Sequence, residues 1–132
     1  MDQGPLKSEQ IDGAAKFLGE FHKTFPILIA FWLKDSAEGE WHLYVASDHI
    51  TDDDLGAAYG EVVRITGQLQ DPCFNPFQVK IVGTDDPVAT VALDLQRRYP
   101  AKIATRLHGK TLDGVSVAEM YIYPSPYSVP VI

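Results

Sequence analysis

Apolar positions along the chain fall into blocks that switch between a helical and an extended period. Ser8 is placed to cap a first helix, in which Ile11, Ala14, Ala15, Leu18 and Phe25 recur at helical spacing until Pro26 ends it. Residues 27–34 are apolar at nearly every position, as in a strand interior to its sheet. After a turn at residues 35–39, residues 41–46 return as its antiparallel partner.

Thr51-Asp52-Asp53-Asp54 opens a second helix. Thr51 and Asp54 have capping-box spacing, and the three carboxylates suit the positive end of the helix dipole. Leu55, Ala58, Tyr59, Val62, Thr66 and Leu69 form its inward stripe. Gly56 and Gly60 share one face of this helix, and each costs about 1 kcal/mol relative to alanine. Close approach to a strand or another helix would offset that cost.

Residues 70–77 read as a proline-punctuated loop whose aromatics, Phe74 and Phe77, are expected to pack down, followed by a short strand at 78–82. Asp86 then caps a third helix with Pro87 at its first position. Val88, Val91, Ala92, Leu95 and Tyr99 are the apolar stripe, Arg97 and Arg98 suit the negative end, Asp94 can pair with Arg98, and Pro100 stops the helix.

The last two apolar-polar runs meet across Asp113-Gly114, a strong signal for a tight hairpin because both central residues of such a turn need positive φ. That loop pairs Leu112 with Val115, Lys110 with Val117, His108 with Glu119 and Arg106 with Tyr121 on one face. Leu107–Met120 and Thr105–Ile122 occupy the other, core-facing side. On the earlier hairpin, His42 and Tyr44 share the face opposite Trp41, Leu43 and Val45.

Taken together, the order is α-β-β-α-β-α-β-β. It describes an α+β fold with a mixed sheet of about five strands and helices mainly on one face. Residues 1–123 make a single domain, and residues 124–132 an extended, proline-rich C-terminal tail with apolar Val129, Val131 and Ile132. With helices on one side, the other side would present His42, Tyr44, Arg106, His108, Glu119 and Tyr121 as a mixed aromatic and charged binding face.

Composition narrows the partners. Eleven basic against eighteen acidic residues give a net charge of −7, which repels phosphate backbones and anionic lipid and argues against nucleic acid. Cys73, the only cysteine, excludes an internal disulfide and a multi-thiolate zinc site. The first residues lack the pattern of a secretory leader, and the apolar run at 25–33 is too short to cross a membrane and contains Pro26. A soluble, cytoplasmic protein is the expectation.

Catalytic motifs are sparse. Residues 104–111 (Ala-Thr-Arg-Leu-His-Gly-Lys-Thr) match a relaxed phosphate-loop pattern. However, Leu112-Asp113-Gly114 stands where the helix behind the lysine would have to begin. If the second and third strands run parallel, Asp48, His49, Asp85 and Asp86 lie beyond their carboxyl ends, where open α/β sheets place ligands. Such a group could hold a divalent metal for hydrolysis of phosphoesters. Capping and the helix dipole explain Asp52, Asp53, Asp54 and Asp86 without a metal.

Two functional expectations follow. The first is a small non-enzymatic protein without a cofactor, acting by self-association or with a protein partner through the open sheet face and the tail. The second is a metal-dependent hydrolase or nuclease using Asp48, His49, Asp85 and Asp86.

Overall fold

The computed structural model describes residues 8–34, 40–48, 50–70, 74, 76–98, 105–112 and 115–123, with side chains for all of these except 98 and 105–119. Cys73, Tyr99, the Asp113-Gly114 loop and the tail at 124–132 lie outside the described residues. The described elements are α1 (Ser8–Thr24), β1 (Ile29–Lys34), β2 (His42–Ala46), α2 (Leu55–Leu69), β3 (Val79–Val82), α3 (Pro87–Arg98), β4 (Thr105–Leu112) and β5 (Val115–Ile122). A 3-10 turn at Asp52–Asp54 leads into α2, and another at Pro76–Gln78 leads into β3.

The strands form one mixed sheet in the order β3-β2-β1-β5-β4. β2 and β3 are parallel and joined through α2, whereas β1 is antiparallel to both β2 and β5. The class is therefore α+β. β1 lies inside the sheet and all six of its residues are buried, which is why that stretch carries almost no polar residue.

Two cores cover the two faces of this sheet. On one, Ala14, Phe17, Leu18 and Phe21 of α1 and Ala58, Val62 and Ile65 of α2 pack on Ala30, Trp32, Leu43, Val45, Val79 and Ile81. On the other, Ala89 and Ala92 of α3 pack on Ile29, Phe31, Leu33, Ala46, Met120 and Ile122. Two helices thus share one face, and α3 alone covers the other. The open sheet face expected from the sequence is closed over β1 and β2 because α3 crosses to it.

Local chemistry accounts for the helix ends. α1 stops before Pro26, and the backbone N–H of Ile27 donates to His22 Nδ1 at 2.8 Å. At the start of α2, the Thr51 backbone N–H and hydroxyl both donate to Asp54 Oδ2, at 3.2 and 3.0 Å. Its end is closed by Gln70 in the left-handed region (φ 49°), whose N–H donates to the Thr66 carbonyl at 3.1 Å. Asp86 Oδ1 accepts the N–H groups of Val88 and Ala89 at 3.0 and 3.2 Å, capping α3 as expected.

Some expectations need correcting. In α1 the buried aromatics are Phe17 and Phe21, while Ala15 is exposed, because the helix turns its 13-14-17-18-21 edge to the sheet. In the loop before β3, Phe74 is buried against Phe17 (ring centroids 5.4 Å apart) and Trp32 (6.0 Å). Phe77, by contrast, is 91% exposed. Gly56 and Gly60 do not approach a strand or another helix closely: among the described residues a Cβ built at either meets nothing within 4 Å.

Candidate functional site

Three regions bear on function: the row of residues on the last hairpin, the carboxyl ends of β2 and β3, and the outward side of α2.

On the hairpin, the β4–β5 register pairs Arg106 with Tyr121, His108 with Glu119, Lys110 with Val117 and Leu112 with Val115. The side chains of Arg106, His108 and Glu119 lie outside the described residues. The wider face is overturned by the registers on either side of β1. Tyr121 pairs with Trp32, and both belong to the α1–α2 side of the sheet, where Tyr121 packs half-buried at the edge of that core. Tyr44 pairs with Phe31 and His42 with Leu33, which places them on the α3 side. Directly paired residues share a face, so His42 and Tyr44 cannot join Tyr121 in one surface. Tyr44 instead stacks on Phe31 with centroids 5.2 Å apart and planes 9° from parallel, and Lys80 Nζ lies 5.5 Å from its ring centre.

At the carboxyl ends of β2 and β3, the chain creates a topological switch. The connection after β2 carries α2 to one face of the sheet, and the connection after β3 carries α3 to the other. Adjacent parallel strands whose connections diverge in this way leave a crevice at their carboxyl ends. A cleft of about 600 Å³ lies there, lined by Leu28, Asp48, Thr84, Thr90, Leu93, Asp94 and Arg97. The four α3 residues in that set recur at i, i+3, i+4 and i+7, which makes one side of the helix a wall.

Among the described residues the proposed metal ligands do not gather in this cleft. Asp86 spends one carboxylate oxygen on the first turn of α3. Asp85 folds back over Gly83, so that a Cβ at 83 would stand 2.7 Å from Asp85 Oδ1. A side chain at 83 would therefore displace the exposed Asp85 carboxylate from that position. Among the described residues no group of three or more His, Cys, Asp or Glu side chains is placed to hold a metal ion. His49 lies outside the described residues. Of the three proposed ligands that are described, Asp48, Asp85 and Asp86, only Asp48 lines the cleft.

The outward side of α2 was not anticipated as a site. Gly56, Gly60 and Gly67 are all exposed, and a Cβ at any of them would meet nothing within 4 Å. Beside them Val63 is 59% and Tyr59 39% exposed. Tyr59 leans toward the edge strand, where its hydroxyl oxygen accepts the Ile81 backbone N–H at 3.0 Å. Glu61 and Arg64 form a two-pronged pair, with Nε–Oε1 at 2.6 Å and Nη2–Oε2 at 2.7 Å, and Glu61 also accepts the Thr24 hydroxyl at 2.9 Å. The Arg64 guanidinium, with help from Thr24, holds the Glu61 carboxyl below its usual range against a smaller opposing effect of burial.

The sequence held partial signals for both regions. Thr90, Asp94 and Arg97 form a polar stripe beside the apolar one on α3, but only the topology shows that a cleft lies beneath it. The glycine spacing was legible, whereas its direction depended on which residues α2 buries. No helix among the described residues is long and apolar enough to cross a membrane. Comparisons with protein-family models, with curated proteins and with solved structures find no match to this chain.

Proposed function

We propose that this protein acts by association with a second copy of itself through the outward side of α2. The observation that carries the reading is the stripe of Gly56, Gly60 and Gly67, open to solvent and flanked by exposed Val63 and Tyr59. Gly60, in the helix interior, costs about 1 kcal/mol relative to alanine, Gly56 and Gly67 in the end turns add less, and no contact within the described chain offsets this. A helix laid across such a stripe can come closer than the usual separation of about 8–10 Å between packed helices, which adds contact along both backbones.

Charge favours a copy of the same chain at this place. The whole chain carries −7, so two copies repel over most of their surface. Along α2, Glu61 and Arg64 are the only formal charges, and they neutralise each other. The helix therefore brings no net charge of its own to a contact between two acidic copies. The apolar C-terminal tail is a second element of this proposal, able to extend the contact beyond the helix.

Light scattering tests it. The wild-type chain is expected to show a mass rising with concentration toward twice 14.6 kDa. Val63→Arg, which adds charge at an exposed position, is expected to hold the mass at that of one chain. Deletion of residues 124–132 is expected to weaken the association. A wild-type chain that remains monomeric into the high micromolar range overturns the proposal.

A further inference from the structure

The cleft at the carboxyl ends of β2 and β3 is separate from the α2 strip, and its chemistry is different. Among the described residues its charged groups are the carboxylates of Asp48 and Asp94 and the guanidinium of Arg97. Among the described residues Arg97 makes no ion pair. Leu28 and Leu93 give the cleft an apolar wall, and Thr84 and Thr90 add hydroxyl groups. The Thr90 hydroxyl is already donated, at 3.0 Å to the Asp86 carbonyl and 3.3 Å to the Thr84 carbonyl, which leaves its oxygen as an acceptor.

These groups select among ligand classes. A volume of about 600 Å³ suits a small molecule rather than a macromolecular segment. A phosphate group would find Arg97 but would also meet two carboxylates in the same cleft. A simple cation would find the carboxylates but would be opposed by Arg97. A ligand carrying both charges is matched by both. Asp48 and Asp94 hold contacts of their own, yet a carboxylate has about four acceptor positions and keeps capacity for an ammonium group.

We propose that this cleft binds a small zwitterion of the amino-acid class. The ligand carboxylate is received by the Arg97 fork, its ammonium by Asp48 and Asp94, and its aliphatic part by Leu28 and Leu93. The topological switch supplies the crevice, the α3 wall supplies Thr90, Leu93, Asp94 and Arg97, and the loop after β2 supplies Asp48.

The test is calorimetry on the full chain with L-leucine, N-acetyl-leucine, leucinamide and inorganic phosphate as probes at millimolar concentration. Leucine is expected to bind saturably, with each singly blocked analogue weaker by about tenfold or more, the scale of one lost charged contact. Phosphate is expected to give no heat. Arg97→Gln should weaken leucine by a similar factor without weakening leucinamide, and Asp48→Asn should weaken leucine without weakening N-acetyl-leucine. Arg97 is exposed, so circular dichroism of Arg97→Gln is expected to match the parent and to separate lost binding from lost folding. Absence of leucine binding, equal binding by the blocked analogues, or tighter binding of phosphate overturns the proposal. None of these outcomes bears on the oligomeric state.

Discussion

The Trp32 indole N–H donates to the Tyr123 hydroxyl oxygen at 2.9 Å, and that hydroxyl donates onward to the Ile11 carbonyl at 2.8 Å. Three distant parts of the chain, the middle of β1, the residue after β5 and the first turns of α1, are joined at one buried point. The Tyr123 backbone adds two more links, accepting from Gln96 Nε2 of α3 at 3.1 Å and donating to the Ala30 carbonyl at 3.1 Å. Tyr123 thereby ties both helical layers to the centre of the sheet.

Tyr123→Phe would keep the ring and remove the relay, leaving the Trp32 N–H buried without its acceptor. The expected loss is about 1–3 kcal/mol, the cost of an unsatisfied buried polar group. It is read as a lower urea midpoint with an unchanged slope.

Burial pushes the Tyr123 phenol well above its ordinary value, with the indole N–H holding it back in part. The native state therefore keeps its proton after an unfolded tyrosine, with a pKa of about 10, has lost it. The stability from this group is whole below about pH 10 and falls as pH rises above it, by up to about 1.4 kcal/mol per pH unit. Alkaline unfolding followed by circular dichroism should be steeper in the wild type than in Tyr123→Phe.

Glu61 titrates in the opposite sense. Arg64 and Thr24 lower its pKa, so the stability it contributes is present above the unfolded value of about 4.3 and disappears as pH falls through the lower folded value. Glu61→Gln should flatten the acid limb of the stability curve by lowering stability at neutral pH, with little change at pH values well below the folded pKa. Because Thr24 ends α1, the same substitution should increase hydrogen exchange at the α1 terminus.

The Asp86 carboxylate serves the helix. Asp86→Asn should retain nearly all stability, since asparagine caps as well as aspartate, whereas Asp86→Ala should lose about 1 kcal/mol. Equal losses in the two variants, measured by thermal unfolding, would show that the charge rather than the cap is what matters there.

Gly60→Ala should raise monomer stability by about 1 kcal/mol, because the helix gains and the added Cβ meets nothing within 4 Å. A destabilised variant would mean that something covers that surface in the free chain.

The elements were legible where local chemistry decides them. Pro26, the Thr51–Asp54 spacing, Asp86-Pro87 and the hairpin loop each act within a few residues, and the β4–β5 pairing follows the spacing that loop sets. The faces were not legible, because they depend on which side of the sheet each helix crosses to. Nothing local to residues 83–98 says that α3 goes to the face opposite α2. That single choice closes the expected open face and creates the cleft at Asp48 and Arg97, while the registers of β2 and β5 on β1 put Tyr44 and Tyr121 on opposite faces. In α2, the glycine spacing could be read, but its outward direction follows from Ile65 being buried, a residue the inward stripe at 62 and 66 did not include.

Sedimentation equilibrium of the wild-type chain beside Gly60→Leu tests self-association through α2 most directly. A leucine at 60 has open space in the single chain but would fill the groove between two copies. The wild type is expected to approach twice the chain mass with rising concentration, and Gly60→Leu to stay at one chain mass while remaining folded. Identical masses for the two proteins at every concentration would contradict it.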